Sequence, residues 1–184
     1  MSIFNIDKED KLLLLVDWIV SRMFLFIFLN IRWGMDLTEF LDCKHYIDIA
    51  YNGYAEDYLY AFFPLVPILI RLIGVFGVIV LNQILSIVIA YMFLDISKNM
   101  LNNKNAIFTA RLWLWSPIAV TTVVCYTEAL FVFLTLFSFY LYKNKKYYIV
   151  LGISLGLSVM CRNTGSSEPV WPQSHLVSHF CSPQ

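Results

Sequence analysis

The chain has 184 residues, of which 59% are hydrophobic and only 14% are charged, and its mean hydropathy is +0.68. Soluble domains carry about 25% charged residues, so this composition excludes an ordinary soluble domain. The formal net charge is zero, which removes the basic surface that nucleic-acid binding requires. We therefore predict an all-α, multi-pass integral membrane protein with no nucleic-acid partner.

The first long apolar run covers residues 12–31 and follows the mixed charged segment 7–11. Its length matches the roughly 20 residues that a helix needs to cross a bilayer core. No small-residue cleavage site follows this run, although a removable signal peptide would need one. We therefore predict a permanent first span.

The next segment, residues 32–50, carries too many charged groups to lie in lipid. Its apolar residues recur at three- and four-residue steps, which is typical of a short amphipathic helix on a membrane surface. The Asn-Gly pair at 52–53 predicts a turn. The apolar run 59–73 contains Pro64 and Pro67 and is short for a span, so we expect an interfacial or re-entrant helix there.

Four more apolar runs follow, and we predict a span in each. They cover residues 75–96, 106–126, 127–142 and 147–161. If 59–73 does not cross the membrane, the lysines between these runs all lie on the side of the N-terminus: Lys98, Lys104, Lys143, Lys145 and Lys146. The positive-inside rule favours that arrangement. We therefore predict about five spans, an interfacial or re-entrant helix in the first outer loop, and an N-terminus inside.

This topology brings polar groups from three separate loops to the outer face. They are Asp42 and His45 in the first loop, Tyr126 and Glu128 in the second, and Arg162 and Asn163 in the third. Polar groups that meet at one membrane face are typical of a functional site.

Each charged candidate has a functional and a structural interpretation. Asp42 can act as a general base toward a sugar hydroxyl, or it can be a solvated loop acid. His45 lies three residues on, so we expect it to share one face of a helix with Asp42. It can orient Asp42 or donate to a phosphate, or it can lie on a helix surface without a role. Glu128 can face water or a partner, or cap a helix N-terminus. Arg162 can hold a phosphate through its planar guanidinium, or satisfy the carbonyls that end its helix.

Neither the cysteines nor the last residues predict a metal site. The chain has four cysteines without metal-ligand or CxxC spacing, Cys43, Cys125, Cys161 and Cys181. We expect ordinary small apolar residues and leave a disulfide open. Residues 166–184 are polar and Pro-rich, so we expect a disordered or aberrant tail after a membrane domain at 1–165. The tail's His175 and His179 are four residues apart, but the prolines before them oppose a helix that would hold a metal.

The motifs of hydrolases and nucleotide-driven pumps are missing from the sequence. It contains no Walker-type loop, no G-x-S-x-G elbow, no H-E-x-x-H helix and no dinucleotide fingerprint. The function classes that remain are a membrane enzyme, a transporter-like protein and a non-catalytic membrane subunit. Polar residues gathered at one face, without a visible internal repeat, favour the first of these over a transporter.

Several blocks of the chain together resemble the PIG-V family, the mannosyltransferases that add the second mannose during GPI-anchor assembly, and their bacterial relatives. The matching blocks are DCKHYIDIAYNGY at 42–54, AFFPLVP at 61–67, SP at 116–117, YTEALF at 126–131, and GLS at 156–158 leading to RNTG at 162–165. Blocks that recur in the same order are more specific than any single one, and the resemblance covers roughly residues 12–165.

The resemblance implies a GT-C type glycosyltransferase that uses a lipid-phosphate sugar, typically dolichyl-phosphate mannose, on the side away from the cytosol. It implies Asp42 as the base, with Arg162 and His45 near the donor phosphate. The expected partners are membrane lipid, the lipid-linked donor and a glycolipid acceptor, with room for a small membrane subunit and no certain cofactor. The expected location is the endoplasmic reticulum membrane in a eukaryote and the cell membrane in a bacterium.

The chain also departs from the family pattern. Leu41 stands where the family usually has Trp before the aspartate, and the family has further spans after the arginine turn. We therefore expect a shortened and inactive chain as one alternative, and a non-catalytic subunit or transporter-like protein as another.

Overall fold

The computed structural model describes residues 6–34, 42–144 and 147–162. Within these ranges the chain forms six α-helices and two 3₁₀ helices, and it contains no β-strand. The α-helices are α1 (Lys8–Trp33), α2 (Cys43–Asn52), α3 (Leu65–Lys98), α4 (Asn103–Trp115), α5 (Glu128–Asn144) and α6 (Tyr148–Cys161), and the 3₁₀ helices are Asp57–Ala61 and Pro117–Val123. The predicted all-α class is confirmed.

Two helices, α1 and α3, are long and apolar enough to cross a membrane. A third span is present if α4 and the 3₁₀ helix Pro117–Val123 count as one, although they are bent by 59°. Helices α5 and α6 have only 17 and 14 residues, so the spans at 127–142 and 147–161 stay predictions. Large apolar side chains are left uncovered on α1, where Ile31 is 83% exposed, as a membrane protein requires.

The long helix α3 joins two segments that the sequence analysis separated. Its backbone leaves the helical conformation at Gly74, with φ 75° and ψ 166°, a combination that is nearly restricted to glycine. Pro64 precedes the helix and Pro67 lies in its first turn, where a missing N–H costs no hydrogen bond. The two prolines, which favoured a separate short helix in residues 59–73, therefore lie at the start of α3. That helix continues beyond residue 73 through a kink at Gly74.

The span predicted at 106–126 is broken at Ser116. Pro117 lacks an N–H and restricts the residue before it to extended backbone, and Ser116 has φ −65° and ψ 152°. The following residues continue as the tighter 3₁₀ helix Pro117–Val123. A break of this kind frees backbone carbonyls that must find other donors in an apolar environment.

Polar side chains from α1 and α3 supply those donors. Arg22 of α1 is 4% exposed, and its guanidinium donates to the Leu114 carbonyl at 3.4 Å and the Ala119 carbonyl at 3.3 Å. It also donates to the hydroxyl of Thr122. Asn82 of α3 donates to the carbonyls of Val124 at 2.9 Å and Tyr126 at 3.0 Å. These residues therefore hold the irregular backbone between α4 and α5.

Ion pairs connect the helices at the end of the bundle that holds the N-terminus. Lys98, the last residue of α3, lies 2.6 Å from Asp10 and 3.3 Å from Asp7. Further along α1, Asp17 accepts from Arg111 of α4 at 2.6 Å. Since α1, α3 and α4 are joined here, their opposite ends are free to carry the loops that contain the predicted site.

Candidate functional site

A cleft of about 200 Å³ lies at the other end of the bundle. Its polar lining comes from three separate segments: the start of α2, the turn before α5 and the end of α6. The lining includes Asp42, Tyr46, Tyr126, Thr127, Glu128 and Arg162. The structure thus brings together four of the predicted site residues, although Asp42 and Arg162 are 120 positions apart in the numbering.

Asp42 and Tyr126 form the shortest polar contact in the cleft. Asp42 directly precedes α2, its own carbonyl accepts from the backbone N–H of His45 at 3.0 Å, and its side chain makes no helix-capping bond. The Asp42 Oδ2 atom instead accepts from the Tyr126 hydroxyl at 2.5 Å. A tyrosine hydroxyl is protonated at neutral pH because its ordinary pKa is about 10. Tyr126 therefore donates, and it fixes the orientation of the carboxylate.

Glu128 and Arg162 form an ion pair across the cleft. The Arg162 Nη1 atom donates to Glu128 Oε1 at 2.8 Å, and the Thr127 hydroxyl lies 3.5 Å from Glu128 Oε2. The Glu128 side chain is 10% exposed, but that of Arg162 is 45% exposed. The Arg162 guanidinium therefore neutralises the buried carboxylate of Glu128, and its exposed part can bind a ligand. Glu128 is also the first residue of α5, so both of its predicted roles are compatible with the structure.

Tyr46 is a cleft residue that the sequence analysis did not select. It is buried, lines the cleft, and meets the ring of Tyr126 edge-on with 6.0 Å between ring centroids. Burial raises the pKa of Tyr46, and the charges of Glu128 and Asp42 raise it further. The hydroxyl therefore stays protonated between two acids. Its place in the predicted amphipathic helix, four residues after Asp42, was the signal in the sequence.

His45 is not among the residues that line the cleft. The His45 ring packs against Tyr58 and Phe62, with ring centroids 5.4 and 4.9 Å apart. The expectation that Asp42 and His45 share a helix face assumed that both lie in the helix, whereas α2 begins after Asp42. Phe62 lines the cleft, so His45 contacts a lining residue without lining the cleft itself. Asn163, like the tail residues 166–184, lies outside the described residues.

The cleft has two carboxylates and one guanidinium, and its hydroxyl groups come from Tyr46, Tyr126 and Thr127. Across the described part of the chain, no three side chains of His, Cys, Asp or Glu are grouped closely enough to hold a metal ion. The arrangement can therefore accept a proton at Asp42 and bind an anion at Arg162 with hydroxyl donors beside it.

Comparisons of the chain with protein-family models, curated proteins and solved structures find no match. The resemblance of the sequence blocks to the PIG-V family accordingly stays a prediction.

Proposed function

We propose that this chain is a membrane glycosyltransferase of the GT-C type, similar to the PIG-V mannosyltransferases. It transfers mannose from dolichyl-phosphate mannose, or from polyprenyl-phosphate mannose, to a lipid-linked glycan such as a GPI-anchor precursor. The observation that carries the proposal is one cleft lined by Asp42, Tyr126, Glu128 and Arg162. Sugar transfer from a phosphate is favoured by a base and a cation in one site, and this cleft is lined by both.

The proposed membrane arrangement has five spans. They are α1, the part of α3 after Gly74, α4 with its 3₁₀ continuation, α5 and α6. Helix α2 and residues 65–73 lie at the outer surface, and the N-terminus lies inside. The cleft then opens away from the cytosol, in the endoplasmic reticulum membrane of a eukaryote or the cell membrane of a bacterium.

Asp42 acts as the general base in the proposed reaction. Its carboxylate removes the proton of the acceptor hydroxyl while that oxygen bonds to the anomeric carbon of mannose. The bond between the anomeric carbon and the donor phosphate oxygen breaks, and the electron pair leaves with the lipid phosphate. Tyr126 holds Oδ2 of Asp42, which directs the remaining carboxylate oxygen toward the acceptor.

Arg162 stabilises the phosphate that leaves. Its guanidinium is about half open, and a planar guanidinium binds two phosphate oxygens at once. The hydroxyls of Tyr46 and Thr127 are neutral donors in the same cleft. They add hydrogen bonds to the developing charge without altering the charge of the site.

A transport path through the bundle is less well supported. The intramembrane cation Arg22 is almost fully buried, and its N–H groups are directed to Leu114, Ala119 and Thr122. Charges that line a path face water or a cavity. Arg22 is instead bound by protein atoms, which supports a structural role.

The proposal is tested by Asp42→Asn, with Asp48→Asn, a residue of the helix that follows, as the matched control. Asp48 is bonded to Asn52 at 2.6 Å and does not line the cleft. The assay measures transfer of labelled mannose from dolichyl-phosphate mannose in membranes that contain the inserted protein. We expect the wild-type chain to transfer mannose and Asp42→Asn to transfer it about 10²–10⁴-fold more slowly. Asp48→Asn should transfer mannose at the wild-type rate. Equal transfer by both variants contradicts the role of Asp42. Absence of transfer by the intact wild-type chain contradicts the function and favours a non-catalytic subunit.

A further inference from the structure

A buried amide of α3 binds the backbone of Tyr126, the residue that donates to Asp42. Asn82 lies within the long apolar helix α3 and is 1% exposed. An amide in an apolar span is costly unless its polar atoms are bound. The Asn82 Nδ2 group has two N–H donors, and it donates to the Val124 carbonyl at 2.9 Å and to the Tyr126 carbonyl at 3.0 Å. Asn82 therefore binds the backbone at two positions beside the cleft.

The segment that Asn82 binds is a tight turn between the 3₁₀ helix Pro117–Val123 and α5. Val124 is extended, with φ −120° and ψ 176°, and the Tyr126 N–H donates to the Val124 carbonyl at 3.0 Å. A turn of this kind lacks the ladder of hydrogen bonds that fixes the backbone of a helix. The position of the Tyr126 backbone therefore depends on the side chain that binds its carbonyl.

We propose that Asn82 is a positioning residue for the base Asp42 and that it acts through Tyr126. The Tyr126 hydroxyl donates to Asp42 Oδ2 at 2.5 Å, and the Tyr126 ring meets Tyr46 edge-on. Asn82 fixes the backbone of Tyr126, and Tyr46 restricts its ring. Groups that take part in a reaction must be held to within about 0.5 Å of the productive geometry. A shift of the Tyr126 backbone would move its hydroxyl away from the carboxylate.

Asn82 has a structural effect and a kinetic effect, and these are measured separately. Its effect on the Tyr126 hydroxyl is a property of the fold and needs no transfer reaction. Its effect on the rate rests on the proposed function, in which Asp42 is the base. A chain that transfers no mannose would therefore contradict the proposed function and leave the structural effect of Asn82 open to measurement.

Gln83, the next residue of α3, provides a matched control. Its Nε2 group donates to the Thr122 carbonyl at 2.5 Å. Both amides therefore bind carbonyls of the irregular backbone between α4 and α5, but Gln83 binds it four residues before Tyr126. If the two amides only hold this backbone in place, replacing either one by leucine has the same effect. If Asn82 positions Tyr126, only Asn82→Leu affects the cleft.

The structural effect is tested by NMR of protein labelled with ¹³C at the tyrosine Cζ atom, whose chemical shift responds to the hydrogen bond of the hydroxyl. The Tyr126 resonance is assigned from its absence in Tyr126→Phe, and Asp42→Ala gives its position when the acceptor is lost. We expect Asn82→Leu to move the resonance toward its position in Asp42→Ala, and Gln83→Leu to leave it unchanged. An unchanged resonance in folded Asn82→Leu, or equal shifts in both leucine variants, overturns the proposal.

A second variant keeps this test decisive if Asn82→Leu does not fold. Asn82→Ala removes the same two donors and adds no bulk to the closely packed interior of the bundle. We expect its Tyr126 resonance to move in the same direction as in Asp42→Ala. A wild-type resonance in folded Asn82→Ala overturns the proposal as well.

The kinetic effect is tested with a double-mutant cycle. Asn82→Leu should lower kcat about tenfold, the effect expected of Tyr126→Phe, because both changes remove the same support of Asp42. In the Tyr126→Phe background, Asn82→Leu should lower kcat by less than about twofold, since the hydroxyl that Asn82 positions is already gone. Two losses that multiply to about a hundredfold would show independent roles and overturn the proposal. If the wild-type chain transfers no mannose, the NMR measurement alone decides the role of Asn82.

Discussion

Two arginines show how the middle of the bundle differs from its cleft end. Arg22 is 4% exposed and its N–H groups are directed to carbonyls and hydroxyls of the chain itself. The side chain of Arg162 is 45% exposed and is bound to one carboxylate. A buried cation surrounded by backbone acceptors stabilises a fold, whereas a half-open cation in a cleft is available to a ligand. The position of an arginine in an apolar run therefore does not by itself indicate function.

Exchange of Arg162 for lysine tests the cleft side of this comparison. Arg162→Lys keeps the charge next to Glu128 but loses the planar arrangement of donors. We expect transfer of labelled mannose to fall about 10²-fold, the effect of removing one donor to a developing negative charge, while the free energy of unfolding stays within about 0.5 kcal/mol of the wild-type value. A large loss of stability with unchanged transfer per folded molecule would assign Arg162 to the fold.

The same exchange at Arg22 is the matched control and should have the opposite effect. A lysine ammonium cannot reach both Leu114 and Ala119 as the guanidinium does, so buried carbonyls lose their donor. We expect Arg22→Lys to lower the free energy of unfolding in detergent micelles by about 2 kcal/mol, with transfer per folded molecule close to wild type. Unchanged stability would show that the broken helix does not depend on this contact.

Removal of one hydroxyl should have the smallest of these effects. Tyr126→Phe deletes the donor to Asp42 Oδ2 and leaves the ring contact with Tyr46 in place. One hydrogen bond of about 1.4 kcal/mol corresponds to a tenfold change in rate, so we expect transfer to fall about tenfold and to stay above that of Asp42→Asn. Tyr60→Phe, on a ring that stacks on Tyr54, should transfer at the wild-type rate. If both variants behave alike, Tyr126 does not position the carboxylate.

The sequence predicted the features that local chemistry determines. Apolar runs marked α1 and most of α3, and the turn predicted at 52–53 lies where α2 ends, whereas the break before Pro117 was not predicted. The predicted topology also grouped Asp42, Glu128 and Arg162, because alternating spans bring every second loop to the same side of the membrane.

Contacts between distant residues could not be predicted from one sequence. Arg22 binds groups 92 to 100 residues away, and no local pattern records such a pairing. Asp17 lies five residues before Arg22 in α1, but its partner is Arg111 on another helix.

The orientation of the cleft is the claim on which the proposed transferase depends, because its lipid-phosphate donor would be used on the side away from the cytosol. We would test it with two N-glycosylation acceptor tags in otherwise wild-type chains, one in the exposed turn at 55–56 and one in the exposed turn at 99–102. The proposed topology predicts a glycan on the tag at 55–56 and none on the tag at 99–102. A glycan on the tag at 99–102 alone would place the cleft on the cytosolic side and contradict the proposed topology.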